Sequence, residues 1–154
     1  MEDTQARNRE VLEAVRVRRD ALYDTVMALE RALATPTGGR PTEWADLVRN
    51  RVENVQLVLE RHVAETEREG GFFDDVLEHA PHLRHAADRL RSEHRPLLNR
   101  VAELERSLDG VGSTEDCEAV RAAGVELIRQ VLEHRHRGAE LVYDAYSVDI
   151  SAAD

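Results

Sequence analysis

Apolar residues recur along this chain in steps of three and four, and the recurrence breaks only where glycine and proline cluster. From about Thr4 to Ala34 the stripe runs through Leu12, Val15, Leu22, Val26, Leu29 and Leu33, which is the spacing of one buried helix face. The stretch "TPTGGRPTEW" stops it, because two prolines and two glycines in ten residues cannot continue a helix. A second stripe, through Trp44, Val48, Val55 and Leu59, predicts a helix that starts near Thr42 and runs to about Arg68. The Thr42 hydroxyl can cap its start, and Gly70 and Gly71 close it. After the short piece "FFDDVLEHA", Pro81 suits the first turn of a third helix reaching Leu108 through Leu83, Leu90, Leu97, Val101 and Leu104. Pro96 falls inside that helix, where it removes a hydrogen bond to the Ser92 carbonyl and predicts a kink. "DGVGST" is the next turn, and Ser113 or Thr114 caps a fourth helix that reaches about Tyr146. The tail "SVDISAAD" is read as only partly ordered.

Four long amphipathic helices joined mostly by short turns predict an all-α protein, an up-down-up-down four-helix bundle, forming one domain over residues 1–154. Composition supports helix: 42% of residues are hydrophobic but only 4% aromatic, too few large and β-branched side chains for a sheet protein. The net charge of -10, from 31 acids against 21 bases, disfavours nucleic acid and anionic membrane surfaces as partners. All of those bases are arginine, so lysine chemistry is excluded. No apolar run approaches the roughly 20 residues of a membrane span. The N-terminal stretch "MEDTQARNRE" lacks a signal-peptide pattern, so a cytoplasmic location is expected. The single Cys117 reads as a packing residue near a helix start. No glycine-rich phosphate loop and no nucleophile context is present, which points to a binding protein rather than an enzyme.

The predicted core seams carry an anomaly. By heptad steps the fourth helix turns Val120, Gly124, Leu127, Val131, His134, Gly138, Leu141 and Ala145 inward, and leaves His136 outside. The second turns in Val48, Val55, Leu59, His62 and Thr66, and the third Leu83, Ala87, Leu90, His94, Leu97 and Val101. In an up-down-up-down bundle His62 and His134 stand about 30 Å from the same end, and His94 lies within about 9 Å of that level. One histidine on an apolar face is ordinarily a hydrogen-bonded core residue. Three at one level point to a shared metal ion, which would satisfy all three and favour their neutral form. Gly138, one turn from His134, leaves room for a ligand or for a bulky neighbour. His79, His82 and His85 recur every three residues across Pro81 and read as a solvated helix start.

The segments "LERHVAETE", "RLRSEHRPLL" and "LEHRHRGAELVYDAYSVDI" together resemble the hemerythrin-like, or HHE cation-binding, proteins, over about residues 8 to 150. The resemblance implies a four-helix bundle holding non-haem iron between its helices, for binding oxygen or another small diatomic ligand or for sensing metal. It assigns His62, His94 and His134 as helix-borne ligands and Glu65 as the carboxylate bridge. His136 and Glu140 reproduce a spacing that some members use, but face outward on the seam above. The first helix departs from the pattern: it has no histidine, and Arg19 stands near the expected place with Asp20 beside it. One ion on three histidines and Glu65, iron or zinc, is chemically sufficient where an iron pair would need more ligands. The alternative is a metal-free helical interaction module, with no cofactor, whose histidines form a hydrogen-bond network closed by Arg19. An oxidase or peroxidase using the same site would need Tyr143 or Tyr146 to reach it. The faces of the long second and fourth helices allow a homodimer, with Trp44, Phe72 and Phe73 either at that interface or internal.

Overall fold

A computed structural model describes residues 2–151, apart from the side chains of Arg18, Arg19 and residues 148–151. Its elements are α1 (Glu2–Ala34), α2 (Pro41–Glu67), α3 (Phe72–His79), a 3₁₀ turn at Pro81–Leu83, α4 (Arg84–Ser92), α5 (His94–Leu108) and α6 (Thr114–Ser151). No strand occurs among the described residues. None of the described helices is long and apolar enough to cross a membrane. The architecture is a helical bundle: α1 packs on α2 and α6, α2 packs on α5, and α5 packs on α6.

Local chemistry sets the ends of these helices, with departures from the sequence reading. Helix α2 begins with Pro41 at its first position, after Arg40 and without a side-chain cap. Thr42 therefore sits inside the first turn, because the fixed φ and missing N–H of proline suit that position better than a hydroxyl cap suits its neighbour. The third arm does not run unbroken from Pro81: a 3₁₀ turn precedes α4, and Glu93 separates α4 from α5. Pro96 accounts for the second break, since it offers no N–H to the Ser92 carbonyl and its ring crowds that turn. The helix stops at Ser92 and restarts at His94.

At the start of α6 the Ser113 hydroxyl accepts from the Asp116 N–H (3.1 Å), while the Asp116 carboxylate accepts from the N–H groups of Gly112 (3.0 Å) and Ser113 (3.1 Å). This reciprocal cap satisfies donors that the first turn would otherwise leave open. Ser113→Ala should cost about 1 kcal/mol of stability, read as a lower urea midpoint with an unchanged m-value; an unaltered midpoint would show that the cap contributes nothing. Helix α6 continues past Tyr146 to Ser151, so the segment read as partly ordered begins as helix, and residues 152–154 lie outside the described residues.

The interior is divided into two apolar clusters. One contains Leu22, Val26, Leu29, Leu33, Val48, Val55, Leu59, Val101, Leu104, Leu127 and Val131, with Trp44 enclosed in it. The other contains Phe72, Phe73, Val76, Leu90, Leu141, Ala145 and Tyr146. Both phenylalanines and Trp44 are thus internal. Gly124 is where α6 meets the Leu33 side chain: a Cβ there would lie 2.5 Å from Leu33 Cδ1. Cys117 is fully buried, and its burial pushes the thiol pKa up, as befits a packing residue.

Candidate metal centre

His62 lies on α2, His94 opens α5, and His134 is in the middle of α6. His94 and His134 are 3% and 2% exposed, and His62 is partly buried. One ligand atom from each of the three lies within 4.8 Å of the others, the only such group of histidine, cysteine or acidic side chains found among the described residues. The rings meet edge to face, with centroids 4.9 Å apart for His94 and His134, 5.3 Å for His62 and His94, and 5.5 Å for His62 and His134. His134 Nε2 is 3.4 Å from His62 Nε2. Two nitrogens on one tetrahedral zinc, each about 2.0–2.1 Å from it, would be separated by about 3.3–3.4 Å. His94 Nε2 is buried and has no hydrogen-bond partner, a costly arrangement for a polar atom that a cation would relieve.

The break at Glu93 builds this layer. Restarting the chain at His94 directs that imidazole into the bundle and leaves the preceding carboxylate free to reach α6. Glu93 Oε1 is 2.9 Å from His134 Nδ1, and Arg137 binds both Glu93 oxygens, through Nε at 3.1 Å and Nη2 at 2.9 Å. A second carboxylate stands behind His94: Glu67, the last residue of α2, has Oε1 3.2 Å from His94 Nδ1 and 3.3 Å from Arg91 Nε. Just beyond it the chain turns sharply at Gly71, where a Cβ would sit 2.7 Å from the Glu65 carbonyl and 2.8 Å from that of Arg68. Only glycine fits so close to two backbone oxygens. The turn delivers Phe72 and Phe73 beneath the site, with the Phe73 ring 5.8 Å from that of His94.

Beside the imidazoles is a cavity of about 40 Å³, lined by Leu22, Thr66, Phe72, Phe73, Leu90 and Gly138 among others. One water needs roughly 10–15 Å³, so a ligand of two or three atoms fits. Gly138 helps to keep it open, since a Cβ there would touch only Leu90 Cδ2, at 3.8 Å.

Glu65 is not brought to the histidines. It lines a surface groove with Glu10, Glu13, Ala14, Val17 and Arg68, whereas buried Thr66 lines the cavity and donates its hydroxyl to the His62 carbonyl at 2.8 Å. At about 100° per residue, position 66 is turned about 40° one way from His62 and position 65 about 60° the other way, and the cavity lies on the side of Thr66. The Arg19 side chain, which the network alternative required, lies outside the described residues. His136 is exposed and pairs with Glu140 at 3.2 Å. His79, His82 and His85 are exposed. Tyr143 faces solvent, and Tyr146 packs in the Phe72 cluster with its ring 5.3 Å from that of His79. Sequence reasoning missed Glu67, Glu93, Arg91 and Arg137, which looked like solvated charges; the one signal was Pro96, placed to unwind the turn containing Glu93.

Burial holds the pKa of both His94 and His134 below the ordinary value of 6.5. For His94 the neighbouring His134 adds to the lowering, while Glu67 opposes it. For His134 the Glu93 carboxylate opposes the burial. Burial alone would raise the Glu93 pKa, but hydrogen bonds from Arg137 and His134 prevail and hold it low. Between the lowered folded values and the unfolded value of about 6.5, the unfolded chain binds more protons than the folded one. The metal-free protein should therefore have full histidine-linked stability above about pH 6.5 and lose it as the pH falls below that value. Urea midpoints in chelator from pH 8 to 5 test this, and a midpoint that rises on acidification would contradict it.

No family model matches this chain, and no curated protein or solved structure does either.

Proposed function

We propose that this chain is a hemerythrin-like metal-binding bundle, helices up-down-up-down, that holds one divalent ion on His62, His94 and His134 and acts as a binder or sensor rather than an enzyme. The observation that carries this reading is the convergence of three imidazoles, from three separate helices, on one point between two apolar clusters. Such a layer costs free energy unless its nitrogens are satisfied, and one cation would satisfy them together. Three nitrogen donors without a carboxylate suit zinc or a single ferrous ion better than an iron pair. A fourth position facing the cavity would admit water or a small diatomic ligand.

The 3.4 Å contact between His134 Nε2 and His62 Nε2 also suits the rival reading, a metal-free interaction module whose histidines bond to one another. Thermal unfolding of protein purified without an affinity tag separates the two. With zinc or ferrous ion at about 1,000 times its Kd, binding adds about 4 kcal/mol, which raises the Tm of a chain this size by roughly 8–16 °C, reversibly with chelator. A Tm indifferent to ion and chelator supports the module instead.

A further inference from the structure

Two of the three histidines are held from behind in the same manner. Each presents Nδ1 to a carboxylate, His134 to Glu93 at 2.9 Å and His94 to Glu67 at 3.2 Å. Each carboxylate is in turn held by an arginine near the surface. Arg137 grips Glu93 through two nitrogens, whereas Arg91 reaches Glu67 through Nε at 3.3 Å and lies 6.0 Å from the centre of the Phe73 ring.

An ionised carboxylate can only accept, so the proton shared with it must reside on Nδ1, and a neutral imidazole then has a bare Nε2. That tautomer turns a lone pair toward the shared point from both α5 and α6. The partnerless Nε2 of His94 is one of these lone pairs. The other, on His134, faces His62 Nε2, where two bare nitrogens would repel unless a proton or a cation lay between them. Without an ion His62 donates an Nε2–H there; when an ion binds, that proton moves to His62 Nδ1, so that the neutral ring offers a bare Nε2 as the third ligand.

We propose that Glu67 and Glu93 are positioning residues that fix His94 and His134 as Nε2 ligands, and that Arg91 and Arg137 hold those carboxylates in place. The inference builds on the proposed metal site and names what sets its affinity. Since Arg137 binds Glu93 in a two-pronged fork, the Glu93 arm is the stronger of the two.

A long-range ¹H–¹⁵N correlation spectrum of the metal-free protein, together with zinc titration against a competing chelator, tests this. In the unsubstituted protein His94 and His134 should both show the Nδ1–H tautomer. Glu93→Gln, whose amide can donate as well as accept, should shift His134 toward Nε2–H without altering His94, and should weaken zinc binding by about 10- to 100-fold. Glu67→Gln should do the same to His94 with a smaller loss. Arg137→Gln should keep the His134 tautomer and lose less affinity than Glu93→Gln. Glu126→Gln removes an exposed carboxylate paired with Arg129 and should change neither readout.

An Nε2–H tautomer for His94 or His134 in the unsubstituted protein would overturn the inference, and so would Glu93→Gln binding zinc as tightly as the parent. If the parent takes up no zinc, the proposed function falls, while the metal-free spectrum still decides the tautomers.

Discussion

His134→Ala is expected to weaken divalent-ion binding by more than about a hundredfold while the bundle stays folded. Loss of an outer carboxylate alone costs 10- to 100-fold in comparable sites, and loss of a ligand removes the bond that the carboxylate only orients. His134 is also the residue on which the other parts converge, close to both His62 and His94 and held by Glu93. The fold should survive because the two apolar clusters lie on either side of the layer, and because Arg137 still pairs with the Glu93 left behind. Competition titration with zinc reads the affinity, and circular dichroism reads the fold. Retained affinity would show that His134 is a core residue and not a ligand.

Leu59→Ala should have the opposite profile. Leu59 is fully buried, one turn before His62 on α2, so removing its side chain loses transfer free energy and leaves a cavity that the helices cannot close. The expected cost is about 2–5 kcal/mol, a large part of the 5–15 kcal/mol that holds a typical domain folded. Urea unfolding in chelator should show it in full, because the apolar clusters and not an ion account for the fold. A loss under about 1 kcal/mol would mean that this part of the core repacks.

The contrast between these two substitutions shows why the fold was more legible in the sequence than the site. Leu59, Val101 and Val131 could be placed inward from spacing alone, because burial of apolar side chains repeats with the helix period and tolerates error at the ends. The same periodicity placed His62, His94 and His134 on inward seams. It also placed Thr66 rather than Glu65 on the seam; Glu65 came from the family resemblance, which does not tell on which side of His62 the cavity opens, and that side, lined by Phe72 and Phe73, is the side of Thr66. Glu67 and Glu93 were illegible for a related reason. Each ends or interrupts a helix, where a carboxylate reads as solvated charge, and its inward direction depends on the Gly71 turn or on the break imposed by Pro96. A kink at Pro96 was expected, but its consequence required the neighbouring helix: the interruption turns Glu93 onto His134 and sets His94 at the head of α5.

Whether the three imidazoles share one ion is tested most directly by a crystal structure of the zinc-loaded protein, with anomalous data collected at the zinc edge. A shared ion predicts one anomalous peak per chain between α2, α5 and α6, about 2.0–2.1 Å from a nitrogen of each of His62, His94 and His134. An empty layer would contradict it, with the His62 and His134 nitrogens still in direct contact and zinc either absent or confined to surface acids.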